Sequence, residues 1–429
     1  MQRIEICQNI LQSISDYITD DSKIEAHRAP NHFIRHRKLS LRQLILYLLY
    51  ARNTSMPQNI SGIREEIETL DFPNISKQAI SKARTYLHPD LFKELFYKSV
   101  DCFYKNLEER KLWHGYHIFA IDGSKYELPN SESNFKFFGQ MFGHPNHDRL
   151  FTMGLASMIY DVTDDYIVHA SFNRYLATER PLAVTHMQNL IDLNIHENSI
   201  IIFDRGYYSE NLFRYCVKNN LLCLMRLKDT INIVKKRKGS DYICTLPGDD
   251  NMHTEDINIR VIEVPLDDGA KEYLATNIPN TTVTTEMFKE LYFLRWPIEV
   301  KYKELKSFIG VEDFKGGVTC AIFQEFYISM LFSNLASLLK NYVDDDINEK
   351  INNVKQNKYR YQCNRSYVIG RLKKFIPKLL AGMASLSKLY SIADDAFRER
   401  SPVMPGRTFR RKKNNWKGRT HFPNIKPSC

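Results

Sequence analysis

Two short apolar runs that each end in an aspartate constrain the fold of this chain more than any other feature. They read Tyr116-His-Ile-Phe-Ala-Ile-Asp122 and Ser199-Ile-Ile-Ile-Phe-Asp204, and a glycine follows shortly after each aspartate. Runs of this length and composition are typical of strands buried within a sheet. A buried carboxylate is costly unless it is paired, although for either aspartate alone a turn-capping role is a sufficient explanation.

The segments around these runs predict a mixed sheet. Further strands are predicted at Leu150–Tyr160, Tyr166–Phe172 and Leu221–Leu227, with helices over 178–193 and 210–219. The resulting order β-β-β-α-β-α-β favours an α/β fold with one mixed sheet. From about residue 229 to 282 the pattern becomes β-rich, beginning with Ile231-Asn-Ile-Val, and we predict an insertion in the core there.

A third acidic residue lies in a helical pattern, Tyr292-Phe-Leu-Arg295-Trp-Pro-Ile-Glu299, which continues to Lys306. At about 100° per residue, the tyrosine, arginine, glutamate and lysine fall within about 60° of one another on a helical wheel. Ion pairs on a solvated helix explain the pattern equally well when it is taken alone. Pro297 weakens the single-face argument, because it favours either a helix that begins there or a kink before Glu299.

Taken together, Asp122, Asp204 and Glu299 form a set that turn chemistry does not require. Three carboxylates that a fold brings to one point can hold two divalent cations, and oxygen ligands suit Mg²⁺ or Mn²⁺. Two such ions clamp the attacking and leaving oxygens of a phosphodiester during in-line displacement. The set therefore indicates metal-dependent cleavage of a nucleic-acid backbone.

These residues resemble the DDE triad of bacterial insertion-sequence transposases. The spacing Tyr-x2-Arg-x3-Glu-x6-Lys is similar to the signature of the insertion-sequence-four family, and the contexts Asp204-Arg-Gly-Tyr and Arg295-Trp-Pro-Ile-Glu299 are also typical of it. The resemblance covers roughly residues 40 to 330. It implies a ribonuclease-H-like core, cut-and-paste DNA transposition and dependence on Mg²⁺ (or Mn²⁺), with two ions held by Asp122, Asp204 and Glu299.

The resemblance also implies which side chains contact DNA. Tyr292, Arg295 and Lys306 would contact the phosphates of the transposon end near the cleavage site. A guanidinium binds two phosphate oxygens at once, whereas an ammonium acts as a point charge. Some relatives stack a flipped base on a tryptophan, and Trp296 is the only tryptophan in the corresponding stretch of this chain. If a base is flipped here, Trp296 or a nearby tyrosine or phenylalanine would have to hold it.

Residues 1–110 read as helical. Their predicted helix at Ser76–Leu87 follows a short turn and directs Lys77, Lys82 and Arg84 away from its apolar face. A helix, a turn and a second helix with long polar side chains fit helix-turn-helix binding of DNA, although many small helical bundles share this pattern. We predict that this region binds the transposon end.

The remaining divisions follow changes in pattern and charge. A catalytic core is predicted over 111–340, a C-terminal helical region over 341–397 and a basic flexible tail over 398–429. The tail has ten lysines and arginines against one acid and accounts for nearly all of the formal net charge of +10. This charge favours binding to a phosphate backbone, although a disordered end that aids solubility would have the same composition.

Composition indicates the compartment and the partners. The eight cysteines include no Cys-x-x-Cys pair, which argues against a structural zinc site and fits a reducing cytosol. The N-terminus, Met-Gln-Arg-Ile-Glu, does not resemble a signal peptide, and the most apolar stretch, Leu39–Leu49, is too short to cross a membrane. We expect a cytoplasmic, nucleoid-associated bacterial protein with no membrane partner. It would act as a homodimer on double-stranded DNA, at terminal inverted repeats and target DNA.

The resulting prediction is a DNA transposase, and two alternatives stay open. One is a nuclease with the same core that hydrolyses phosphodiesters without joining strands. The other is a non-catalytic, DNA-binding relic of a transposase. Pre-cleaved DNA ends would identify the nuclease, because only a transposase joins a 3′-hydroxyl to target DNA, and a cleavage assay without any response to Mg²⁺ would identify the relic.

Overall fold

The structure, a computed structural model, describes residues 1–34, 38–51, 54–142, 150–236, 239–248, 255–266, 269–279, 282–306, 314, 316–354 and 356–404. The α-helices among them are α1 Arg3–Thr19, α2 Asp21–Glu25, α3 Leu41–Tyr50, α4 Met56–Glu66, α5 Lys77–Arg84, α6 Asp90–Asn106, α7 Glu132–Phe138, α8 Glu179–Asp192, α9 Glu210–Lys218, α10 Asn232–Lys235, α11 Met287–Phe293, α12 Trp296–Glu304, α13 Thr319–Ile347, α14 Arg365–Leu380 and α15 Lys388–Arg398. The strands are β1 His117–Leu128, β2 Gln140–Phe142, β3 Leu150–Asp161, β4 Tyr166–Arg174, β5 Ser199–Phe203, β6 Leu222–Arg226, β7 Asp241–Leu246, β8 Ile257–Pro265, β9 Lys271–Thr276, β10 Arg360–Gln362 and β11 Ser401–Val403.

Strands β1 to β9 form one sheet in the order β2-β3-β1-β5-β6-β9-β8-β7, with β4 paired to β3. β1 pairs in parallel with β5, and β5 pairs in parallel with β6. The sheet continues through antiparallel pairs from β6 to β9, β8 and β7. β1 therefore lies between β3 on one side and β5 on the other, and the sheet combines parallel and antiparallel pairs, which confirms the predicted mixed α/β class.

The chain divides into two compact units. The sheet unit consists of Glu109–Lys125 and Leu155–Lys303, and the helical unit consists of Met1–Glu108, Tyr126–Gly154 and Glu304–Cys429. The three predicted acidic residues all belong to the sheet unit. Of the predicted tail at 398–429, strand β11 pairs with β10, and residues 405–429 lie outside the described residues.

A core of apolar side chains in the sheet unit holds helix α11 against the sheet. Ile118 of β1, Ile200 of β5 and Leu224 of β6 are fully buried together with Phe288 and Leu291 of α11. Burial of each such side chain contributes about 1.5–3 kcal/mol. This packing fixes α11, the helix that leads to Arg295 and Glu299.

The β-rich segment predicted at about 229–282 contains β7, β8 and β9, which extend the central sheet from its β6 edge. The strand predicted at Ile231-Asn-Ile-Val is wrong, because the structure has helix α10 there. The N–H groups of Val234 and Lys235 both donate to the carbonyl oxygen of Ile231, at 3.0 Å, and so close a helical turn. Val234 is the one buried residue of α10, so these four residues have no continuous face to contribute to a sheet.

In the helical unit, α13 packs against α1, α6, α14 and α15. Together with the π-helical turn that follows it, α13 is long and apolar enough to span a membrane, but 78% of its most apolar window is buried inside the protein. Core helices of this length pass the same test, and the packing of α13 fits that role. Near the N-terminus of the chain, α3 starts after Ser40, whose side chain caps the helix by accepting a hydrogen bond from the backbone N–H of Gln43.

Candidate active site

Asp122 and Asp204 lie side by side on neighbouring parallel strands. The register pairs Ile121 of β1 with Phe203, the last residue of β5, so Asp122 within β1 and Asp204 directly after β5 are the next residues along the two chain segments. Neighbouring strands are about 4.8 Å apart. The buried runs predicted from the sequence therefore bring both carboxylates to one place in the sheet. The carboxylate of Asp122 accepts a hydrogen bond of 2.8 Å from the backbone N–H of Gly123.

The signature segment is two helices rather than one. α11 ends at Phe293, and α12 begins at Trp296 with Pro297 as its second residue. Proline is well tolerated there, because the first N–H groups of a helix have no intrahelical partner. Pro297 allowed either a helix that begins there or a kink before Glu299, and the structure shows a new helix that begins beside Pro297. The single helical face predicted from Tyr292 through Arg295 to Glu299 is accordingly wrong.

The side chains of this segment nevertheless converge on Asp204. The Tyr292 hydroxyl donates to Asp204 Oδ1 at 3.3 Å. A terminal nitrogen of Arg295 donates to Glu299 Oε1 at 2.7 Å, while its Nε lies 4.0 Å from Asp204 Oδ1. Only 7% of Arg295 is exposed, and its Nε has no hydrogen-bond partner among the described residues. The guanidinium therefore links Glu299 to Asp204.

A second contact fixes α12 to β1 at Asp122, which lies within that strand. The hydroxyl of Tyr302 donates to the backbone oxygen of Asp122 at 2.7 Å and lies 3.4 Å from the backbone oxygen of Ala156. Tyr302 is buried and lies one helical turn beyond Glu299. The placement of Glu299 relative to Asp122 is thus determined by direct hydrogen bonding as well as by packing.

The electrostatics of the site leave negative charge only partly compensated. Burial raises the pKa of Asp122 to about 7, in opposition to the Gly123 N–H and Arg295, and the charges of Asp204 and Glu179 add to the rise. A carboxylate in this setting is stabilised by a nearby cation. Burial also raises the pKa of the Tyr292 hydroxyl, which therefore keeps its proton at neutral pH and remains a hydrogen-bond donor.

The donor set suits a hard divalent cation, although its carboxylates do not converge on one point. Within the described part of the chain, no group of three His, Cys, Asp or Glu side chains lies close enough together to hold a metal ion. Glu299 is instead bonded to Arg295, which compensates its charge. The all-carboxylate chemistry and the raised pKa of Asp122 fit Mg²⁺ or a similar ion, provided that Arg295 gives up Glu299.

Sequence reasoning missed two residues beside this site, Glu179 and Tyr207. Glu179 is the first residue of α8, and its carboxylate lies over Gly123. Tyr207 is buried, and burial followed by the charges of Glu179, Asp122 and Asp204 raises the pKa of its hydroxyl. A glutamate at the start of a helix is common because it interacts well with the helix dipole, so no sequence pattern distinguished Glu179 from an ordinary helix-start residue. Tyr207 is the last residue of the Asp204-Arg-Gly-Tyr motif, but no function was predicted for its side chain.

The other residues predicted near the cleavage site lie in different settings. Trp296 is 43% exposed, and the ammonium of Lys303 lies 5.4 Å from its ring centroid. Lys306 belongs to the helical unit, where its ammonium lies 4.4 Å from the ring centroid of Tyr126. Trp296 thus offers an accessible aromatic face on α12.

The three cationic residues predicted on α5 divide into two groups. Lys77 and Lys82 are exposed. Arg84 is only 4% exposed and donates to the side chains of Gln324 and Glu325, at 3.0 and 2.8 Å, and to a backbone oxygen of α13. The prediction that Arg84 points away from the core is wrong, because α13 supplies a buried polar partner set for the guanidinium. Arg84 joins helices within the helical unit, and we do not retain it as a DNA contact.

Comparison with known proteins shows that this sequence is similar to transposases. A family model described as "Transposase DDE domain" matches residues 113–335, which is just over half of the chain and includes all three acids. "Transposase InsG for insertion sequence element IS4" of Escherichia coli (strain K12) is 21% identical over 322 residues, covering 72% of this chain and 71% of the relative. "Putative transposase InsZ" of the same organism is 25% identical over 100 residues, covering 23% and 32%. A cryo-EM structure of a piggyBac transposase synaptic complex with hairpin DNA aligns with a TM-score of 0.46 and 11% identity, covering 98% of this chain and 89% of that chain.

Proposed function

The chain belongs to the Transposase DDE domain family, and from that premise we propose that Asp122, Asp204 and Glu299 hold the divalent metal ions with which it cleaves DNA. The protein is a metal-dependent DNA transposase of the IS4 family. The observation that best supports these three residues is the register of β1 and β5, which sets the aspartates together beside the arginine that holds Glu299.

We propose two ions, and Mg²⁺ or Mn²⁺ as the metal, since carboxylate oxygens suit both. Bound at this site, the ions would supply activation of water and charge stabilisation for in-line displacement at phosphorus. Arg295 and Tyr292 provide the complementary groups: a buried guanidinium with a free Nε and a protonated hydroxyl, both beside Asp204. When Arg295 releases Glu299, its planar fork is suited to two oxygens of the same phosphate.

We propose further DNA contacts beyond the reacting phosphate. We assign phosphate contact to Tyr292, Arg295 and Lys306, and stacking on an unpaired base to the exposed ring of Trp296. An aromatic ring contributes about 1–3 kcal/mol when it stacks on a base. The N-terminal helices 1–110 would bind the terminal inverted repeats through the exposed lysines of α5.

The lysines of α5 yield a quantitative prediction. Neutralising Lys77 and Lys82 together by substitution with glutamine is expected to lower the slope of log K against log salt by about 2, because each lost phosphate contact removes about one unit. The measurement is fluorescence anisotropy of a labelled inverted-repeat duplex at several salt concentrations. Lys93→Gln, an exposed lysine of α6, serves as the matched control and should keep the wild-type slope. A slope that does not change in the double variant would remove α5 from the DNA interface.

Cleavage followed by strand joining is the full reaction that we propose. The protein would excise an element by cut-and-paste transposition as a homodimer that holds two inverted repeats, and then join the ends to target DNA in the cytoplasm, at the nucleoid. The substrate for the test is linear DNA that contains the sequences flanking this reading frame. We expect cleavage with Mg²⁺ or Mn²⁺ and none with EDTA, and pre-cleaved ends should be joined to a plasmid. Cleavage without joining would indicate a nuclease, and no cleavage with either metal would indicate a relic.

A further inference from the structure

The carboxylate of Asp204 is held less firmly by its direct contacts than that of Asp122. Asp122 lies within β1 and accepts a hydrogen bond of 2.8 Å from the N–H of Gly123. Asp204 lies directly after the last residue of β5, and its side chain is 41% exposed. Its contacts with the hydroxyl of Tyr292 and with Nε of Arg295 are long, at 3.3 and 4.0 Å. The position of this carboxylate therefore depends on the backbone turn that follows it.

The turn after Asp204 is held from its exposed side by Arg180, the second residue of α8. One terminal nitrogen of Arg180 donates to the backbone oxygens of Gly206 and Tyr208, at 3.3 and 2.9 Å. These oxygens lie on either side of Tyr207 in the chain, and the N–H of Tyr207 donates to the backbone oxygen of Asp204 at 3.1 Å. Hydrogen bonds from a charged donor are stronger than those between neutral groups. The guanidinium therefore stabilises the turn that begins at Asp204.

The same helix holds this turn from its buried side. The hydroxyl of Tyr207 is hydrogen-bonded to that of Ser157, and Ser157 Oγ lies 2.9 Å from Nε2 of His186 on α8. All three side chains are buried. Burial, followed by the charge of His169, lowers the pKa of His186 well below its usual value, so the imidazole is neutral at pH 7. A buried network of this kind makes the local structure rigid, so α8 fixes the turn on both sides.

We propose that Arg180 is a positioning residue for Asp204, and that its two hydrogen bonds keep the carboxylate of Asp204 where it can bind a divalent ion. This inference rests on the proposed function, because it concerns a carboxylate that is assigned to the metal site there. Groups that orient a metal ligand without touching the metal matter to the site, and their loss typically costs about 10- to 100-fold in metal affinity or activity.

An exposed arginine beside a DNA-cleaving site has an alternative role as a phosphate contact. The geometry favours positioning, because a terminal nitrogen of Arg180 is already engaged by two carbonyl oxygens of its own chain. Glu179, the preceding residue, lies over Gly123, so the start of α8 contacts the segments that follow both aspartates. Loss of a positioning residue would loosen the turn and weaken the use of metal, whereas loss of a phosphate contact would weaken DNA binding.

The first test measures the turn itself, in the full-length chain without metal or DNA. Hydrogen exchange followed by mass spectrometry reports the opening of the peptide that contains the N–H of Tyr207. Arg180→Gln is expected to speed exchange there by about 10-fold or more, because the turn loses both charge-assisted bonds. Arg180→Lys keeps a cationic donor and should recover part of the protection. Lys218→Gln, an exposed lysine at the last position of α9, is the control and should exchange as the wild type does. Unchanged exchange in Arg180→Gln would overturn the proposal.

The second test measures single-turnover cleavage of inverted-repeat DNA over a range of Mn²⁺ concentrations. Arg180→Gln is expected to raise the Mn²⁺ concentration at half-maximal rate by about 10-fold or more. Charge alone predicts the opposite sign, because removal of a positive charge near the site favours binding of a cation. DNA affinity, and the slope of log K against log salt, should stay as in the wild type.

Two outcomes of the cleavage test separate the role of Arg180 from the proposed function. A salt slope lowered by about 1, with an unchanged requirement for Mn²⁺, would make Arg180 a phosphate contact and overturn the proposal. Wild-type protein that cleaves with neither Mg²⁺ nor Mn²⁺ would refute the proposed function itself. Wild-type cleavage, together with an Arg180→Gln variant that needs no more Mn²⁺ than wild type, refutes the role of Arg180 alone.

Discussion

Glu299→Gln is expected to abolish DNA cleavage while leaving DNA binding intact. Glutamine keeps the size of the side chain, and its amide oxygen can still accept a hydrogen bond from Arg295, so the contact at 2.7 Å retains an acceptor. The substitution removes the negative charge that a divalent ion needs. We expect the cleavage rate to fall at least about 1,000-fold, since loss of a single essential catalytic group typically costs that much or more. The measurement is single-turnover cleavage of inverted-repeat DNA, with binding followed in parallel.

The matched control for this variant is Glu286→Gln. Glu286 is an exposed glutamate just before α11, so the same loss of charge occurs on the same segment of chain away from the aspartates. We expect wild-type cleavage from this control. Asp204→Asn should reproduce the loss seen with Glu299→Gln, because both carboxylates contact or approach the same guanidinium. Cleavage by Glu299→Gln at the wild-type rate would show that the assignment of Glu299 is wrong.

The parts of this site that the sequence predicted are those set by local pattern. The apolar runs that end at Asp122 and Asp204 form buried strands, because each run consists of β-branched and aromatic residues that favour a strand without help from distant residues. Pro297 also acted locally, because a proline is tolerated only in the first turn of a helix and α12 therefore begins at the residue before it. The helical wheel drawn from Tyr292 to Lys306 failed for the same reason, because a wheel assumes an uninterrupted helix.

The parts that the sequence did not predict depend on residues far away along the chain. Arg84 has the composition of a surface cation on α5, but Gln324 and Glu325 of α13 bury it. Glu179 reaches Gly123 only because the crossover through α8 returns to the sheet beside β1. No periodicity within α5 or α8 encodes these partners. A single sequence therefore indicated the chemistry of the site but could not give its full set of contacts.

Lys301→Met is expected to destabilise the protein by about 3–5 kcal/mol, because removal of one partner from a buried ion pair leaves the other buried charge without its counter-charge from that partner. Lys301 is 1% exposed, and its ammonium lies 2.8 Å from Asp165 Oδ1. Asp165 also accepts a hydrogen bond from the hydroxyl of Tyr160, and its φ of 57° lies in the left-handed region that few non-glycine residues adopt. The turn between β3 and β4 thus presents a buried carboxylate to the helix that contains Glu299.

The position of Lys301 gives this ion pair a consequence for the active site. Lys301 follows Glu299 by two residues on α12, so about 200° of helical turn separates the two side chains at about 100° per residue. The lysine fixes one side of α12 to the β3–β4 turn while the glutamate faces Arg295. Loss of this pair should therefore lower cleavage at temperatures where the variant is still folded, in addition to its effect on stability.

Chemical denaturation monitored by circular dichroism measures the loss of stability in Lys301→Met. Lys303→Met, an exposed lysine two residues further along α12, is the control and should change the free energy of unfolding by no more than about 0.5 kcal/mol. Adding Asp165→Asn to Lys301→Met removes the negative charge that Lys301 compensated, so the double variant should recover part of the lost stability. A loss below about 1 kcal/mol in Lys301→Met, or a double variant that is less stable than the sum of the two single changes, would show that the pair does not hold α12 in place.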